Sequence, residues 1–506
     1  MRPAETVLPV VPPTTDVLPR ADAAGTELKR GAVVNVLALL ASNFRGIFTF
    51  LVARLLGPAV LGTFSVAWAS LELVSKIAVF GLDNAITTFV ARSEAVGDHA
   101  RSRALFRIAV VIVLAQSLVI GAIAIGTIWL VGDRLSLPRE MLSAFTFILG
   151  ALPGVALYRV SNSVSWGMKV MKHDIFSRGI TESIATTLAF VIAFAIGFNA
   201  LAPELAAIIG TTCCGIVALM LAANLFQGGP AQVGVISVRD EAAKLLAYGA
   251  PIGAHQLLNA LIYRLDVIML GFFIGRAPGV TLATVGIYGA VLETAGGLRK
   301  VNQAFNPIFT PIIAGMTATG DHERAAATYA RLAQWMLWIL MPLIAVMLLA
   351  STAILLIYGP AFRQGAPWLA VVALGCAANS YVSFGETIIM VQRPGLNLLH
   401  SAITCVVAAL ANLLLIPRFG AMGAACGLLI AYLTQGLLRF IALRFVFKWR
   451  NPWTNLAPPV IGAAIAFLPA ALCRALIDGI TGQVMAAVIF LGLFGLEWKF
   501  YSRLTR

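Results

Sequence analysis

The sequence is short of charge. Only 11% of its 506 residues are Asp, Glu, Lys or Arg, against roughly 25% in a soluble domain, and the mean hydropathy is +0.91. This excludes a water-soluble globular chain and leaves one that crosses a bilayer many times. Motifs for nucleotide and metal chemistry are also missing. There is no GxxxxGK[ST] phosphate loop, so nothing points to ATP. The six cysteines (Cys213, Cys214, Cys376, Cys405, Cys426 and Cys473) lie in apolar runs without CxxC or a histidine cluster. Buried free thiols are therefore the expectation, and no metal site. No loop is long enough to be a folded domain. The first thirty residues are Pro-rich and polar and lack the apolar core of a signal peptide, so 1–30 reads as a mobile cytoplasmic tail. The net charge of +14 is spread over short loops, which reports topology rather than nucleic-acid binding.

What the sequence has is apolar runs. Cutting at charge, Gly and Pro clusters predicts an all-α polytopic membrane protein of about fourteen helices: 31–53, 59–80, 104–130, 141–165, 179–198, 203–226, 245–273, 283–312, 332–358, 366–391, 395–416, 420–446, 455–476 and 482–500. Each is near the roughly 20 residues a bilayer requires. One set of loops carries Arg92, Arg101, Arg103, Arg107, Lys169, Lys172, Arg178, Arg239, Lys244, Arg324, Arg331, Arg393, Arg444, Lys448 and Arg450. With the tails, this set holds roughly three times the positive charge of the other (Arg54, Arg134, Arg139, Arg276, Arg363, Arg418, Arg474). Both termini are accordingly expected in the cytoplasm.

Ionisable residues inside the spans stand out, because one at mid-membrane costs roughly 2.5–3.5 kcal/mol on insertion scales. The cations are Arg45, Lys76, Arg159, Arg264, Arg299 and Lys300, and the acids are Glu72, Glu182, Asp266, Glu293 and Glu386. Two readings stand. Clustered cations in a watery cavity suit an anionic ligand such as a pyrophosphate. Alternatively each cation is tied to a local acid: Lys76 to Glu72 four residues away, Arg264 to Asp266, Lys300 to Glu293. That pairing leaves Arg45, Arg159 and Arg299 over. His255 and His400 are single histidines on apolar spans and read as satisfied core residues.

The chain also repeats itself. Gly62-Thr63-Phe64 in the second span parallels Gly286-Ile287-Tyr288 in the eighth, and fourteen residues on from each glycine stand Lys76 and Lys300. Arg45 parallels Arg264 if a longer loop follows Gly275. Two six-helix units in the same orientation would be a parallel repeat about an axis along the membrane normal.

Four ordered pieces carry a family resemblance. They are Ala53-Arg54-Leu55-Leu56-Gly57-Pro58 with Leu61-Gly62; Asp266-Val267-Ile268-Met269-Leu270-Gly271 with Val285-Gly286-Ile287-Tyr288; Tyr358-Gly359-Pro360; and Ile416-Pro417-Arg418-Phe419-Gly420 with Gly423-Ala424-Ala425. Together they resemble the bacterial polysaccharide and oligosaccharide flippases of the multidrug/oligosaccharidyl-lipid/polysaccharide exporter superfamily. The resemblance implies two pseudo-symmetric lobes around a cationic cavity, here an N-lobe at 31–226, a linker at 227–244, a C-lobe at 245–446 and two extra helices at 447–506. It implies turnover of an undecaprenyl-pyrophosphate-linked glycan across the bacterial inner membrane for surface polysaccharide synthesis (O-antigen, capsule or exopolysaccharide), with a polymerase and chain-length machinery as further partners. No bond is made, so no enzyme activity and no cofactor is expected beyond a coupling H+ or Na+. Arg45, Lys76, Arg159, Arg264, Arg299 and Lys300 would hold the pyrophosphate. Glu72, Asp266 and Glu293 would balance charge or bind the coupling ion. The rival readings are a lipid II flippase, a cation-coupled drug exporter of the same superfamily, and a membrane sugar polymerase or ligase. The last would need a large catalytic loop, which the sequence lacks.

Overall fold

The structure is a computed structural model that describes residues 44–132, 138–227, 237–318, 322–447 and 453–504. The proposed tail at 1–30, the start of the first span and half of the inter-lobe linker lie outside these residues, as do the side chains of Arg45 and Lys300. Sixteen α-helices follow one another, with no strand among the described residues. In the N-lobe these are α1 (Phe44–Val79), α2 (Leu82–Ala95), α3 (His99–Val131), α4 (Arg139–Ile148), α5 (Leu152–Gly167), α6 (Lys172–Asp174), α7 (Ser183–Ala195) and α8 (Ala202–Asn224). The C-lobe holds α9 (Val238–Phe272), α10 (Leu282–Ala318), α11 (His322–Leu349), α12 (Ser351–Leu356), α13 (Ala366–Gln392) and α14 (Pro394–Ile441). Two further helices, α15 (Trp453–Leu476) and α16 (Gly479–Leu504), pack on α11.

Nine described helical stretches are long and apolar enough to cross a membrane. Two of them each contain two of the expected spans. α1 breaks at Gly57 (φ 81°, ψ 179°) and α14 at Gly420 (φ 56°). Gly57 takes a left-handed φ that costs a residue with a Cβ, and Pro58 then opens the next helix with a pre-set φ. Splitting at those two points and adding α9, α10 and α13 recovers fourteen spans, organised as two pseudo-symmetric six-helix lobes plus two C-terminal helices. Two details differ from expectation. The stretch after Gly81, expected as a loop, is the helix α2, which buries Leu82, Ala85, Ile86 and Val90 in one cluster. The fifth span begins at Lys172 rather than 179, continuing through a wide i→i+5 turn at Ile175–Glu182 into α7.

Apolar burial does not by itself bring helices together in lipid, so small residues and polar contacts at the crossings matter more. α15 and α16 meet through Ala466, Ala470 and Ala486, with Phe490 stacked on Phe494 at 5.5 Å.

At the start of α9, Ser237 caps the helix by accepting from the Asp240 amide at 3.3 Å. The next residue, Glu241, accepts from Arg101 of α3 at 2.9 Å and from Lys244 at 3.0 Å, tying the two lobes together. Burial pushes the Glu241 carboxyl up, but the bonds from Arg101 and Lys244 outweigh it and hold the group below the usual carboxylate range. Because the folded value is the lower one, this stabilisation is present above the unfolded pKa and is lost as pH falls through the folded one. Acidification below about 4.5 is therefore expected to lower the melting temperature by an amount that Glu241→Gln lacks. Parallel acid limbs for the two proteins in a thermal-shift titration would remove Glu241 from that role.

Candidate functional site

The lobes meet along α1, and two helices of the C-lobe lie against it. α10 runs parallel to the second part of α1 and crosses it at glycine. A Cβ on Gly62 would overlap the Leu282 carbonyl oxygen and sit 2.8 Å from the Gly286 nitrogen. A Cβ on Gly286 would overlap the Pro58 carbonyl oxygen and sit 2.8 Å from the Gly62 nitrogen. Each contact is the image of the other, with the same four-residue spacing on both helices. The two glycines that align in the sequence repeat thus face each other across the seam, in the register that also pairs Lys76 with Lys300.

α9 runs antiparallel to α1, and contacts descend along both in step. Near the Arg54 end, Val66 packs where Gly271 has no side chain. Next, the Arg264 guanidinium forms an ion pair with Glu72. The Lys76 ammonium then donates to Gln256 Oε1 at 3.2 Å, and Gln256 Nε2 donates to Asp83 at 3.4 Å. Last, at the Arg101 end, the Phe80–Gly81 turn lies against Gly249 and Gly253. Along the described residues the seam is therefore closed at both ends.

These partners correct the local pairing considered above. Glu72 bonds Arg264 across the seam, and Lys76 finds Gln256. Arg264 and Asp266 are two apart on one helix, and such residues do not face each other. Asp266 instead lies buried inside the C-lobe, accepting from Tyr288 at 2.7 Å and from the Val267 amide at 2.8 Å. Its expected place in charge balance or coupling would have to act from within that contact.

A cleft opens beside the seam on the N-lobe side. Trp68, Leu71, Glu72 and Ser75 of α1 line it, with Val155, Tyr158 and Arg159 of α5, and Arg178 from the wide turn. Spacings of three and four residues put each set on one helix face. Lys76 lies in the combined field of Arg159, Asp83, Glu72 and Arg178. Arg159 and Arg178 make no hydrogen bond or ion pair among the described residues, and Nε of Arg159 is buried without a partner. Arg178 is the residue that sequence reasoning assigned to a loop. The signal lay in Asp174, Arg178 and Glu182, which recur every four residues and continue the helix inward.

Arg299 sits apart from the seam charges, donating to the Tyr432 hydroxyl at 3.2 Å and lying over the Tyr263 ring at 5.4 Å. Glu293 is half-buried on α10 and makes no hydrogen bond or ion pair among the described residues. The C-lobe also holds a polar cluster that was only partly visible in the sequence. Arg439 pairs with Glu386 at 2.5 Å, and Glu386 accepts from Asn259 at 3.3 Å and lies 3.5 Å from His255. Asn397 and Ser401 complete the shell around His255 at 3.2 and 3.5 Å, so His255 is satisfied as expected, whereas Nδ1 of His400 is buried without a partner among the described residues.

A family model described as "Polysaccharide biosynthesis protein" matches residues 28–316. Among curated proteins, an uncharacterized membrane protein of Methanocaldococcus jannaschii, MJ1068, is 22% identical over 272 residues, covering 52% of each chain; the match thus spans about half the length of that relative. Among solved structures, the lipid II flippase MurJ in an inward closed conformation is 12% identical with a TM-score of 0.68, over 94% of this chain and 100% of that one. An inward-facing multidrug resistance MATE family transporter of the MOP superfamily is 13% identical with a TM-score of 0.65, over 82% and 98%. Such identities speak to fold alone. With more than half its length inside the family model, this chain belongs to the polysaccharide biosynthesis protein family, and it carries the all-α fold shared by the MATE and MurJ transporters.

Proposed function

We propose that the protein is an inner-membrane flippase that turns over undecaprenyl-pyrophosphate-linked oligosaccharide by alternating access, for a surface polysaccharide. One observation carries this reading: cationic side chains of both lobes lie at a seam closed by glycine contacts at each end. An anionic head group at the seam can compete with Glu72 for Arg264 and with Gln256 for Lys76. Occupancy and lobe closure are then linked, as a ligand-driven population shift requires. Arg45 and Lys300 belong to the same proposed set on sequence grounds, Arg299 joins it from inside the C-lobe, and Arg159, also expected in the set, lies instead in the cleft beside the seam. The loop-charge asymmetry supports cytoplasmic termini and a cytoplasmic Arg101 end. Glu293 remains a candidate for ion coupling by H+ or Na+, and a polysaccharide polymerase is the expected recipient of the product.

The test is complementation of a deletion strain with lipid-linked glycan measured by leaflet. Loss of the gene should trap glycan on the cytoplasmic face, and the wild-type gene should release it. Charge-assisted hydrogen bonds contribute roughly 1.5–3 kcal/mol, so Arg264→Gln and Lys76→Gln should each slow export by about tenfold or more. Normal leaflet distribution in the deletion strain would overturn the reading, as would export of a cationic dye in place of glycan.

A further inference from the structure

Arg159 and Arg178 are two guanidiniums that share one cleft; neither makes a hydrogen bond or ion pair among the described residues, and Nε of Arg159 is buried without a partner there. Arginine is costly inside a membrane and is normally paired there. Here the nearby acids are committed or set back. Glu72 is taken by Arg264. Asp174 accepts from Asn162 at 2.8 Å. Neither Asp174 nor Glu182 lies within ion-pair distance of Arg178, although both share its segment. The remaining charged neighbour, Lys76, is a third cation. Two planar forks left open beside an ammonium form a ready receptor for an oxyanion, which guanidinium binds bidentately.

The position of the cleft narrows the class of ligand. Every lining residue belongs to α1, α5 or the wide turn, and none to α9 or α10. An anion bound there is held by the N-lobe alone and does not bridge the seam. That differs from the seam above, where Lys76 of the N-lobe and Arg264 of the C-lobe each bond across it. Arg178 is aimed into the cleft by the i→i+5 turn, which Asn162 holds open: its Oδ1 accepts from Ser177 at 3.0 Å while its Nδ2 donates to Asp174. Wide turns of this kind are often retained at functional sites. The buried Trp68 and Tyr158, with Leu71 and Val155, complete the lining.

We propose that Arg159 and Arg178 form an oxyanion subsite in the N-lobe that selects glycans bearing an acidic substituent, a sugar carboxylate, separate from the place where the lipid diphosphate is held. This rests on the reading of the chain as a carrier of lipid-linked glycan. It makes Arg178 a specificity-determining residue.

The test uses the purified full chain in nanodiscs and three probes: methyl glucuronoside, methyl glucoside and geranyl diphosphate. Wild type should bind the glucuronoside and geranyl diphosphate but not the neutral glucoside. Arg178→Gln should weaken the glucuronoside by about tenfold or more, as expected for loss of a charge-assisted pair, and leave geranyl diphosphate within about twofold. Arg178→Lys should recover part of the loss, since it keeps the charge without the fork. Retained geranyl diphosphate binding also serves as the check that the variant is folded. Three results would overturn the subsite: equal glucuronoside affinity in wild type and Arg178→Gln, loss of geranyl diphosphate instead of glucuronoside, or no glucuronoside binding by a wild type that binds geranyl diphosphate. Failure of wild type to bind geranyl diphosphate would count instead against the function on which the subsite rests.

Discussion

Gly62→Ala is expected to hold the lobes apart at the Arg54 end and to stop transport. The added methyl would overlap the Leu282 carbonyl oxygen, a backbone atom that no rotamer change can move. The helices must therefore separate whenever the seam would otherwise close. Overpacking of this kind typically costs about 1–3 kcal/mol, and each 1.4 kcal/mol is tenfold in population. The closed state should fall by about tenfold to a hundredfold, and a cycle that passes through it should slow in proportion. The effect is readable with a single cysteine at Ser65, which lies against Gly289 just inside the crossing. In a background free of native cysteines, Ser65→Cys should label slowly from the periplasm and become fast when Gly62→Ala is added. Gly286→Ala should do the same, because its Cβ would meet the Pro58 carbonyl in the mirror contact. Gly253→Ala, at the opposite end, should leave Ser65→Cys protected and open the cytoplasmic side instead. Unchanged labelling and transport in Gly62→Ala would show that the crossing is not a gate.

That crossing is also where the sequence was most informative. A parallel repeat must bring equivalent residues together near its axis, and only glycine lets two backbones approach so closely. The match of Gly62 with Gly286 was therefore a structural statement written in spacing alone. The span count was legible for a similar reason, since bilayer thickness forces long apolar runs wherever the chain crosses. Polar partners were not legible. Glu72 and Lys76 share a helix face, which suggested that they pair. Their actual partners, Arg264 and Gln256, come from a helix nearly two hundred positions away and are brought near by lobe packing. Arg178 was lost because a charge near a span boundary looks like a loop charge until the helix is seen to continue through it. Asp266 was visible as a buried acid, but its satisfaction by Tyr288 depends on how α9 lies against α10.

The largest stability loss is expected from Arg439→Gln. Arg439 is 1% exposed on α14, so its charge has no route to water. One group, Nη2, bonds Glu386 at 2.5 Å, while Nε and Nη1 have no partner among the described residues. The guanidinium thus depends chiefly on a single carboxylate, and that carboxylate on the guanidinium. Asn259 also bonds Glu386, but it brings no charge. His255 stands at 3.5 Å and contributes a full charge only when protonated. Removing one member of a buried ion pair strands the other in low dielectric and typically costs about 3–5 kcal/mol. For a protein of ordinary stability this is a large share of the total, so Arg439→Gln should reach the membrane at a small fraction of wild-type level or melt far earlier in detergent. Glu386→Gln should be similarly damaging, because it leaves Arg439 with no anion. The double variant Glu386→Gln/Arg439→Gln strands neither charge and should be more stable than either single variant, a coupling that a double-mutant cycle measures directly. Additive losses in that cycle would mean that the two side chains are not a coupled pair, and that each is held in the C-lobe by something other than its partner.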